Sequence, residues 1–489
     1  MGTAREATLR FGTDGWRAVI AEDFTFANLQ RVAQAVAHHL REQNETAADL
    51  QVVVGYDTRF LSDRFAAEVS CLLAGNGIVA WLTRTDAPTP SISHNVRARG
   101  AAAGIIITAS HNPPRYNGFK LKLPSGAAAT RAEIMGIETA LRADSLPIQR
   151  MDYGEALRRG LIQRFDPGWG YYEHLGTLVD LDAISDGELR VVVDAMWGAG
   201  RHALPAVLSR TRSQVLEIRN ALNPGFGGVH PEPILRYLNE LVAAVQRERA
   251  QIGLAMDGDA DRIGAIDAQG KFVSPQLIMA LALQHLVESR GQSGTVVKTV
   301  STTMLLDRLA RKHDLPLHET PIGFNHIAEW MLRENVLLGG EESGGISIQG
   351  HIPEGDGILM GLILLEILAL GRAPLHEQIA DLQREYGPAH YDRHDAVLDR
   401  VLPRETWQRR LTDAAPARLV GETLHSLDTQ DGVKFRLADG GWLLIRPSGT
   451  EPVLRIYAEA PDPKALAALL EEGAALGEAV LQKESGGDA

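Results

Sequence analysis

The sequence predicts an α/β protein of several domains that ends in a smaller α+β domain. Its 489 residues exceed what one hydrophobic core usually organises, so three or four domains are expected. Apolar runs of strand length alternate with helix-like segments along most of the chain. The last hundred residues differ, because they contain paired strand-like segments and one long helix-like segment.

The apolar runs predict strands that are buried on both faces of a parallel sheet, because polar residues do not alternate with the apolar ones. These runs span residues 51–57, 101–108, 189–194, 252–256 and 295–300. Helix-like stretches such as 26–43 and 274–289 precede or separate these runs. This β-α alternation is typical of doubly wound α/β layers.

Several of the predicted strands end in a polar residue. Asp57, Ser110, Asp194 and Asp257 each lie at, or just beyond, the carboxyl end of an apolar run. Open α/β sheets bind their ligands at this edge. The repeated pattern indicates related α/β units, although no strict sequence period accompanies it.

The C-terminal region predicts a different architecture. Residues 434–437 and 442–446, with a Gly-Gly turn between them, are typical of a hairpin. Residues 454–460 alternate like a half-buried strand, and a helix is predicted over 463–481. The polar tail at 483–489 is expected to be frayed.

The composition of the chain indicates which binding partners and which cellular location to expect. A net charge of −13 argues against a broad surface for nucleic acid or anionic membranes. The most apolar stretch, 358–371, contains Glu366 and is too short to cross a bilayer, which predicts a buried helix. The single cysteine, Cys71, lies in an apolar run and is expected to be a buried, inert thiol. The cytoplasm is the expected location.

A serine follows the predicted strand at 101–108. The segment Thr108-Ala109-Ser110-His111-Asn112-Pro113 is expected to expose Ser110 on a sharp turn that another molecule can approach. Ser, Asn and Pro are also the ordinary residues of turns. A Ser-His-Asp hydrolase is another alternative, but the chain contains no Gly-x-Ser-x-Gly elbow.

Three carboxylates follow the predicted strand at 252–256. In Asp257-Gly258-Asp259-Ala260-Asp261 they alternate with small residues, so they can converge on one cation such as Mg²⁺ or Ca²⁺. An EF-hand loop is excluded, because its sixth position would be Arg262 instead of Gly. An acidic surface turn is the other interpretation. The buried strand predicted directly before the segment favours the metal site.

Two further loops carry polar groups among small residues. In 446–452, the Arg446 guanidinium matches phosphate oxygens, and Ser448, Thr450 and local amides can complete an anion cradle. In 339–345, acidic and hydroxyl groups on a glycine-rich loop suit sugar hydroxyls. The composition of 446–452 is equally typical of a segment that leaves a hairpin, and that of 339–345 is equally typical of a flexible turn.

One segment after the predicted strand at 189–194 matches a dinucleotide-binding fingerprint. Gly198-Ala199-Gly200-Arg201-His202-Ala203 has the form G-x-G-x-x-A, and Glu217 lies near the expected acidic position. An NAD-dependent oxidoreductase is therefore an alternative from another class. Residues 194–197 intervene before the first glycine and loosen the tight turn that this fingerprint requires.

Taken in order, these segments resemble the α-D-phosphohexomutase family. The segment Phe11-Gly12-Thr13-Asp14-Gly15-Trp16-Arg17 is similar to the N-terminal signature of the family. Residues 108–120 resemble its phosphoserine loop, and 257–262 resemble its metal loop. Residues 340–345 are similar to its sugar-recognition loop, and 446–452 to its phosphate-binding loop. The resemblance covers almost the whole chain.

The resemblance implies a role for each candidate residue. Ser110 would carry the phosphoryl group, and Lys120 would assist proton transfer at the reacting hydroxyl. The other residues fall into four groups. Mg²⁺ would be held by an oxygen on Ser110 and by Asp257, Asp259 and Asp261. The phosphoserine site would be lined by Arg17, His111 and Arg262. Sugar hydroxyls would be held by Glu341 and Ser343. The non-reacting phosphate would be held by Arg446, Ser448, Gly449 and Thr450.

The resemblance also implies an architecture and a reaction. Three related α/β domains with mixed, mostly parallel sheets and a C-terminal α+β domain would surround a central cleft. Their expected ranges, in the order of the four loops, are 1–149, 150–271, 272–380 and 381–489. The partner would be a small hexose phosphate, with glucose 1,6-bisphosphate as activator and intermediate, and the enzyme would be a monomer or homodimer. The C-terminal domain is expected to move so that the bisphosphate can turn.

Two positions bear on the substrate. Glu342, third in Gly340–Gly345, resembles glucose-preferring members, which predicts interconversion of glucose 1-phosphate and glucose 6-phosphate. A phosphomannomutase or a dual-specificity enzyme is the closest alternative. Asn325 stands where members commonly carry Lys, so His326 or Lys120 would have to supply the missing group.

Overall fold

The computed structural model describes residues 9–12, 14–44, 50–142, 146–398, 402–447 and 453–482. The chain divides into two compact units. The larger unit comprises Met1–Ile278, Gly323–Glu334 and Ser343–His376, and the smaller comprises Met279–Ile322, Asn335–Glu342 and Glu377–Ala489. The tail at 483–489, which was predicted to be frayed, lies outside the described residues.

The larger unit begins with a mixed six-stranded sheet in the order β1-β5-β4-β2-β3-β6. Its strands are β1 Trp16–Val19, β2 Gln51–Tyr56, β3 Val79–Thr83, β4 Ala103–Ile107, β5 Tyr116–Lys122 and β6 Ile162–Phe165. Strand β5 runs antiparallel to both neighbours, whereas β2, β3, β4 and β6 pair in parallel. The helices of this region are α1 Phe26–Gln43, α2 Ser62–Gly75, α3 Thr89–Arg99, α4 Arg131–Arg142 and α5 Tyr153–Arg158.

Strand β6 completes this sheet although it lies beyond residue 149, the predicted end of the first domain. Arg99, at the end of α3, fixes the outer pair of strands. Its guanidinium carbon lies 4.2 Å from the ring centroid of Trp81 on β3 and 4.3 Å from that of Phe165 on β6. The cation therefore lies against an aromatic ring of each strand.

A five-stranded sheet follows in the larger unit, in the order β11-β10-β9-β7-β8. Its strands are β7 Arg190–Asp194, β8 Gln214–Ile218, β9 Ile252–Met256, β10 Ile263–Asp267 and β11 Phe272–Val273. The first three pair in parallel, and β10 runs antiparallel to β9 and β11. The helices of this region are α6 Trp169–Leu178, α7 Leu181–Asp186, α8 Ala203–Leu208 and α9 Asn239–Glu248. Short 3₁₀ turns occur at Phe226–Gly228 and Leu235–Tyr237.

The middle of the chain contributes to both units. Helix α10, Pro275–Gln284, continues into a π-helical turn at His285–Ser289. The smaller unit contains parallel strands β12 Thr295–Thr299, β13 Leu317–Thr320 and β14 Val336–Gly340, with β12 in the centre, and helix α11 Leu305–Lys312. The larger unit contains α12 Phe324–Arg333, β15 Ile346–Ile348 and α13 Gly357–Gly371. Helix α14, Leu375–Tyr386, follows.

Helix α13 is a core helix of the larger unit, as predicted from its apolar sequence. The Asp356 carboxylate caps it by accepting hydrogen bonds from the backbone N–H groups of Ile358 and Leu359, both at 2.9 Å. No single helix in the described ranges is long and apolar enough to span a membrane. Only α13 and α14 taken together, across the bend between them, meet that criterion.

The smaller unit ends in an antiparallel sheet in the order β16-β21-β20-β19-β18-β17. Its strands are β16 His390–Val397, β17 Arg418–Leu419, β18 Glu422–Asp428, β19 Val433–Leu437, β20 Trp442–Pro447 and β21 Val453–Ala460. Helices α15 Arg404–Asp413 and α16 Pro463–Gln482 accompany it. Three α/β/α domains and a β-rich C-terminal domain confirm the predicted fold class.

Strand β21 is more buried than the predicted half-buried strand. Ile456 and Ala458 face one apolar core, as the alternation indicated. Tyr457, on the opposite face, is also buried, because it packs with Val300 and Trp442 in a second cluster of the smaller unit. The prediction failed here because the polar character of residues 455, 457 and 459 hid a second packed face.

The predicted inert cysteine is confirmed. Cys71 on α2 is buried, and burial raises the pKa of its thiol to about 11. Thiolate is the reactive form of cysteine. The thiol therefore stays protonated near neutral pH and packs as a small apolar group.

A row of three histidines packs beside the Asp356 cap. The rings of His94 and His174 stack with centroids 5.0 Å apart, and His174 Nε2 lies 3.0 Å from His351 Nδ1. His351 Nε2 in turn lies 2.9 Å from the Asp356 carboxylate. Burial, followed by the neighbouring His351, lowers the pKa of both His94 and His174 to about 4, and Arg97 contributes to both shifts.

Mild acidification should destabilise the protein, and part of this loss should come from protonation of the histidine row. An unfolded histidine has a pKa of about 6.5, above the folded value of about 4 for His94 and His174. As pH falls from about 6.5 to 4, these histidines therefore become protonated in the unfolded chain before they do in the folded protein. The stability that the neutral histidines contribute above this pH range is then lost. In urea unfolding between pH 7 and pH 5, His174→Gln should lose less stability than wild type. The exposed His425→Gln control should follow wild type, and equal pH slopes for all three would contradict this interpretation.

Candidate active site

Ser110 lies in the turn that follows β4. Its hydroxyl donates a hydrogen bond of 2.8 Å to Asp257 Oδ2 and lies 3.2 Å from His111 Nδ1. The expectation of an exposed serine is wrong for this structure, because Ser110 is 0% exposed. The reason is the close approach of the loop at 257–261. A Cβ at Gly258 would lie 2.5 Å from the Ser110 carbonyl oxygen, so this contact requires glycine.

The structure brings the three aspartates of 257–261 together at the carboxyl end of β9. One carboxylate oxygen from each of Asp257, Asp259 and Asp261 lies within 4.8 Å of the other two. Ala260 adopts a positive φ of 59°, which bends the backbone between Asp259 and Asp261. The Asp257 carboxylate also accepts a hydrogen bond of 3.2 Å from the backbone N–H of Arg262.

Lys120 on β5 lies among carboxylates from two different segments. Its Nζ is 2.9 Å from Asp259 and from Asp261, and 2.8 Å from Asp14. The pairing of β5 with β4 sets this position, since Lys120 is in register with Ile106. The buried ammonium group therefore neutralises part of a dense negative charge.

The charges of the site shift the pKa values of its members. Burial, followed by the charges of Asp261 and Asp259, raises the pKa of Asp257. Burial alone would lower the pKa of Lys120, but the carboxylates of Asp14, Asp259 and Asp261 outweigh it and raise that pKa well above its ordinary value. The three carboxylates that contact Lys120 and the fourth beside Ser110 thus form a single electrostatic group.

The three residues predicted to line the phosphoserine site lie near Ser110 or contact its neighbours. Arg17 donates a hydrogen bond of 2.8 Å to the Asn112 side chain and pairs with Asp14 at 2.7 Å. Arg262 Nε lies 3.8 Å from Asp261. Burial, followed by the charges of Arg262 and Arg17, lowers the pKa of His111. The imidazole is therefore neutral near pH 7, and its tautomer decides whether Nδ1 donates a hydrogen bond to the Ser110 hydroxyl or accepts one from it.

The donor set fits a hard divalent cation. Asp259 Oδ1 and Asp261 Oδ1 are buried and make no hydrogen bond, whereas the other Asp259 oxygen accepts one of 2.6 Å from the Thr89 hydroxyl. Buried carboxylate oxygens without partners are rare unless a metal ion or water completes them. Carboxylate oxygens are the ligands that Mg²⁺ prefers.

The remaining predicted residues are divided between the two units. In the smaller unit, Arg446 on β20 pairs with the buried Asp431 at 2.9 Å, and Glu341 follows β14 and is buried. In the larger unit, the buried Ser343 hydroxyl makes no hydrogen bond. Ser448, Gly449 and Thr450 lie outside the described residues.

Sequence reasoning missed two members of the site. Asp14 belongs to the segment 11–17, which was singled out only as a signature, and its carboxylate contacts Lys120 and Arg17. Thr89 begins α3 and contacts Asp259 through both its hydroxyl and its backbone N–H. The sequence around Asp14 offered a signal, since an acidic residue lies between glycines. Thr89 offered none beyond a Thr-Pro pair at a helix start.

The glycine segment at 198–203 does not leave a dinucleotide cradle. The Ala199 N–H donates to the Gly258 carbonyl at 2.9 Å, and the His202 N–H donates to the Glu217 carboxylate at 2.7 Å. A Cβ at Gly198 would lie 2.8 Å from the Asp257 carbonyl oxygen. A pyrophosphate needs free backbone amides here. The segment instead supports the aspartate loop, which argues against the oxidoreductase alternative.

The side chain of Asn325 bears on the lysine that this position commonly carries in the family. Asn325 Oδ1 is buried and makes no hydrogen bond, at the start of α12. Gly323, which precedes the helix, has a φ of 134°, and a Cβ there would lie 2.5 Å from this oxygen. An amide oxygen accepts hydrogen bonds, so Asn325 cannot replace a lysine as a cation.

Models of one family match the chain in four consecutive parts. All describe phosphoglucomutase/phosphomannomutase: alpha/beta/alpha domain I over residues 8–147, domain II over 170–270, domain III over 274–386 and the C-terminal domain over 403–476. The exact boundaries between the four predicted domains stay predictions.

Curated relatives match along nearly their whole length. A probable phosphoglucosamine mutase of Methanothermobacter thermautotrophicus is 31% identical over 461 residues, covering 92% of this chain and 93% of the relative. A phosphoglucomutase/phosphomannomutase of Thermococcus kodakarensis is 31% identical over 474 residues, covering 96% and 99%. The two names differ in the sugar.

Solved structures agree with the fold. A putative phosphomannomutase from Thermus thermophilus has a TM-score of 0.84 at 37% identity, covering 96% of this chain and 99% of that one. The open form of the Paramecium phosphoglucomutase pp63/parafusin has a TM-score of 0.82 at 24% identity, covering 98% and 96%.

Removing the central ammonium group should destabilise the protein. Lys120→Met leaves buried carboxylates without their cation, and breaking a buried ion pair in this way costs about 3 kcal/mol or more. The measurement is urea unfolding in EDTA, with the exposed Lys271→Met as control. The loss should shrink when Mg²⁺ is added, and a Lys120→Met variant as stable as the control in EDTA would contradict the prediction.

Proposed function

The chain belongs to the phosphoglucomutase/phosphomannomutase family of phosphohexomutase isomerases, and from that premise we propose that Ser110 carries the transferred phosphoryl group. The observation that carries the proposal is the 2.8 Å contact between the Ser110 hydroxyl and Asp257, within the group that also contains Asp259, Asp261 and Lys120. The reaction moves a phosphoryl group between the 1- and 6-hydroxyls of a hexose.

The proposed reaction has two balanced transfers. In the first, the bond from phosphorus to Ser110 Oγ breaks, a bond to the free sugar hydroxyl forms, and the proton of that hydroxyl is transferred so that Ser110 Oγ becomes a hydroxyl again. The resulting hexose 1,6-bisphosphate turns end for end. In the second, the opposite phosphate returns to Ser110 Oγ, and the oxygen it leaves on the sugar gains a proton. The proton that the sugar oxygen gains comes from the Ser110 hydroxyl. Lys120 is the proposed group that assists both proton transfers, as an ammonium group that donates a hydrogen bond to the reacting oxygen.

The remaining residues of the site are proposed to position the phosphoryl group and to neutralise its charge. Asp257, Asp259, Asp261 and the Ser110 oxygen are the proposed ligands of Mg²⁺, which would supply positive charge against the phosphoryl oxygens. Arg17, His111 and Arg262 would hold the phosphate on Ser110. Phosphoryl transfer depends mainly on position and charge, and the burial of Ser110 supports this by excluding water.

We propose glucose 1-phosphate and glucose 6-phosphate as the substrate pair. The support is Glu342, which resembles the glucose-preferring form of the sugar loop. Its carboxylate accepts a hydrogen bond of 2.6 Å from the Ser301 hydroxyl, which fixes one end of that loop within the smaller unit. Glu341 and Ser343 are the proposed contacts to sugar hydroxyls. The names of the relatives favour glucosamine and mannose as the competing sugars.

We propose that Arg446 and the segment after β20 bind the substrate's non-reacting phosphate. Asp431 holds the Arg446 guanidinium at 2.9 Å, so the side chain is pre-oriented before substrate arrives. Ser448, Gly449 and Thr450 are the proposed partners of Arg446. The proposed enzyme acts in the cytoplasm as a monomer or homodimer, with glucose 1,6-bisphosphate as activator and no nucleic-acid or membrane partner.

Glucose 1-phosphate should be converted to glucose 6-phosphate in the presence of Mg²⁺ and catalytic glucose 1,6-bisphosphate. Ser110→Ala should abolish conversion, because the phosphoryl carrier is lost. Ser125→Ala, in the turn after β5, is the matched control and should keep the wild-type rate. Mannose 1-phosphate and glucosamine 1-phosphate are assayed beside glucose 1-phosphate. A higher kcat/KM for either would refute the glucose assignment, and full activity of Ser110→Ala would refute the mechanism.

Mg²⁺ affinity should depend on the aspartate loop. Asp261→Asn replaces one carboxylate with a neutral amide and should weaken Mg²⁺ binding by at least about 10-fold. Isothermal calorimetry measures this without substrate. The exposed Asp182→Asn should bind Mg²⁺ as wild type does. Equal affinity in all three proteins would place the metal elsewhere.

A further inference from the structure

Both backbone polar groups of Ser110 are held by side chains. Its φ of 51° lies in the left-handed region, which is unfavourable for a residue with a side chain. The Ser110 N–H donates to the Thr108 hydroxyl at 2.9 Å, and its carbonyl accepts from an Arg59 terminal nitrogen at 2.6 Å. The two contacts fix the peptide groups on either side of the serine, and so the direction of its hydroxyl.

The Arg59 guanidinium holds the whole serine loop. One terminal nitrogen donates to the carbonyls of Ser110 and Asn112, both at 2.6 Å. The other donates to the carbonyls of Pro113 at 2.8 Å and Tyr116 at 3.0 Å. The side chain is fully buried, and so is its contact with the Ser110 carbonyl, which would lose this donor if the side chain were removed.

One carboxylate anchors both of the groups that hold Ser110. Asp57, at the end of β2, lies 3.2 Å from Arg59 Nε and accepts a hydrogen bond of 2.6 Å from the Thr108 hydroxyl. The Ser62 hydroxyl and the Arg59 N–H complete its partners, both at 2.9 Å. The Phe226 ring covers the guanidinium at 4.9 Å. The conformation of the serine loop is therefore set by a neighbouring strand.

We propose that Arg59 is a positioning residue for phosphoryl transfer, which orients Ser110 by holding the carbonyls of its loop. This inference rests on the proposed function. The planar guanidinium can serve four carbonyls at once, whereas a lysine ammonium group has three donors on a flexible stem. Arg59 hydrogen-bonds to the loop backbone, and its carboxylate partner is Asp57 instead of the aspartates of 257–261, so it is not a proposed ligand of substrate or metal.

The test compares Arg59→Lys with wild type in three measurements. The kcat for glucose 1-phosphate should fall by about 10²-fold, because a misplacement of about 1 Å is enough for such a loss. KM should stay near the wild-type value, and the calorimetric Mg²⁺ affinity should fall less than it does in Asp261→Asn, because the three aspartate ligands are unchanged. Hydrogen exchange of the backbone at 108–116, measured without ligand, should become faster.

The matched control is Arg219→Lys. Arg219 is also a buried arginine paired with a strand-end aspartate, Asp194, but none of its contacts reaches the serine loop. The Arg219→Lys variant should keep the wild-type kcat, and its hydrogen exchange at 108–116 should stay slow even if its melting temperature falls. Should Arg59→Lys not fold, Asp57→Asn tests the same anchor and should change kcat and exchange in the same direction.

Unchanged exchange at 108–116, or a folded Arg59→Lys variant with wild-type kcat, would overturn the inference. Equal loss of kcat in the Arg219→Lys control would also overturn it, because the effect would then follow general stability. The proposed function fails separately, if wild type converts no hexose phosphate. The exchange measurement still decides in that case whether Arg59 orders the loop.

Discussion

The site depends on one buried ammonium group that holds carboxylates from two distant segments. Lys120 Nζ lies within 2.9 Å of Asp14, Asp259 and Asp261, and the Ser110 hydroxyl approaches the same group through Asp257. Carboxylates this close repel one another strongly where water is scarce. The lysine therefore ties the first sheet to the second, and the nucleophile candidate lies where these two sheets meet.

Local sequence was enough wherever one strand or helix determines its own environment. The strand at 252–256 and the helix at 26–43 have the predicted bounds, because continuous apolar residues and a capping threonine act within the segment. The aspartate triplet was predicted for the same reason, since its three members lie within five residues. The rule that ligands bind where parallel strands end also singled out Ser110 and Asp257, each at the carboxyl end of its own strand.

Features that arise from contacts across the chain were not predictable. Ser110 was expected to be exposed, but a loop 147 positions later covers it. Thr89 becomes part of the site only because α3 begins beside Asp259. Tyr457 is buried only because Val300 and Trp442 pack on a face that its own strand does not reveal. In each case, the partner is distant in sequence and no periodicity records it.

The position of β6 affects where the chain can be divided. A fragment ending at residue 149 would lack this strand and leave β3 as a bare edge, with unpaired N–H and C=O groups along Val79–Thr83. It would also uncover Trp81 on one side, since Phe165 and the shared Arg99 contact would be lost. Open edges with exposed aromatic rings recruit other chains. An isolated first domain would therefore remain monomeric only if it extended past Phe165.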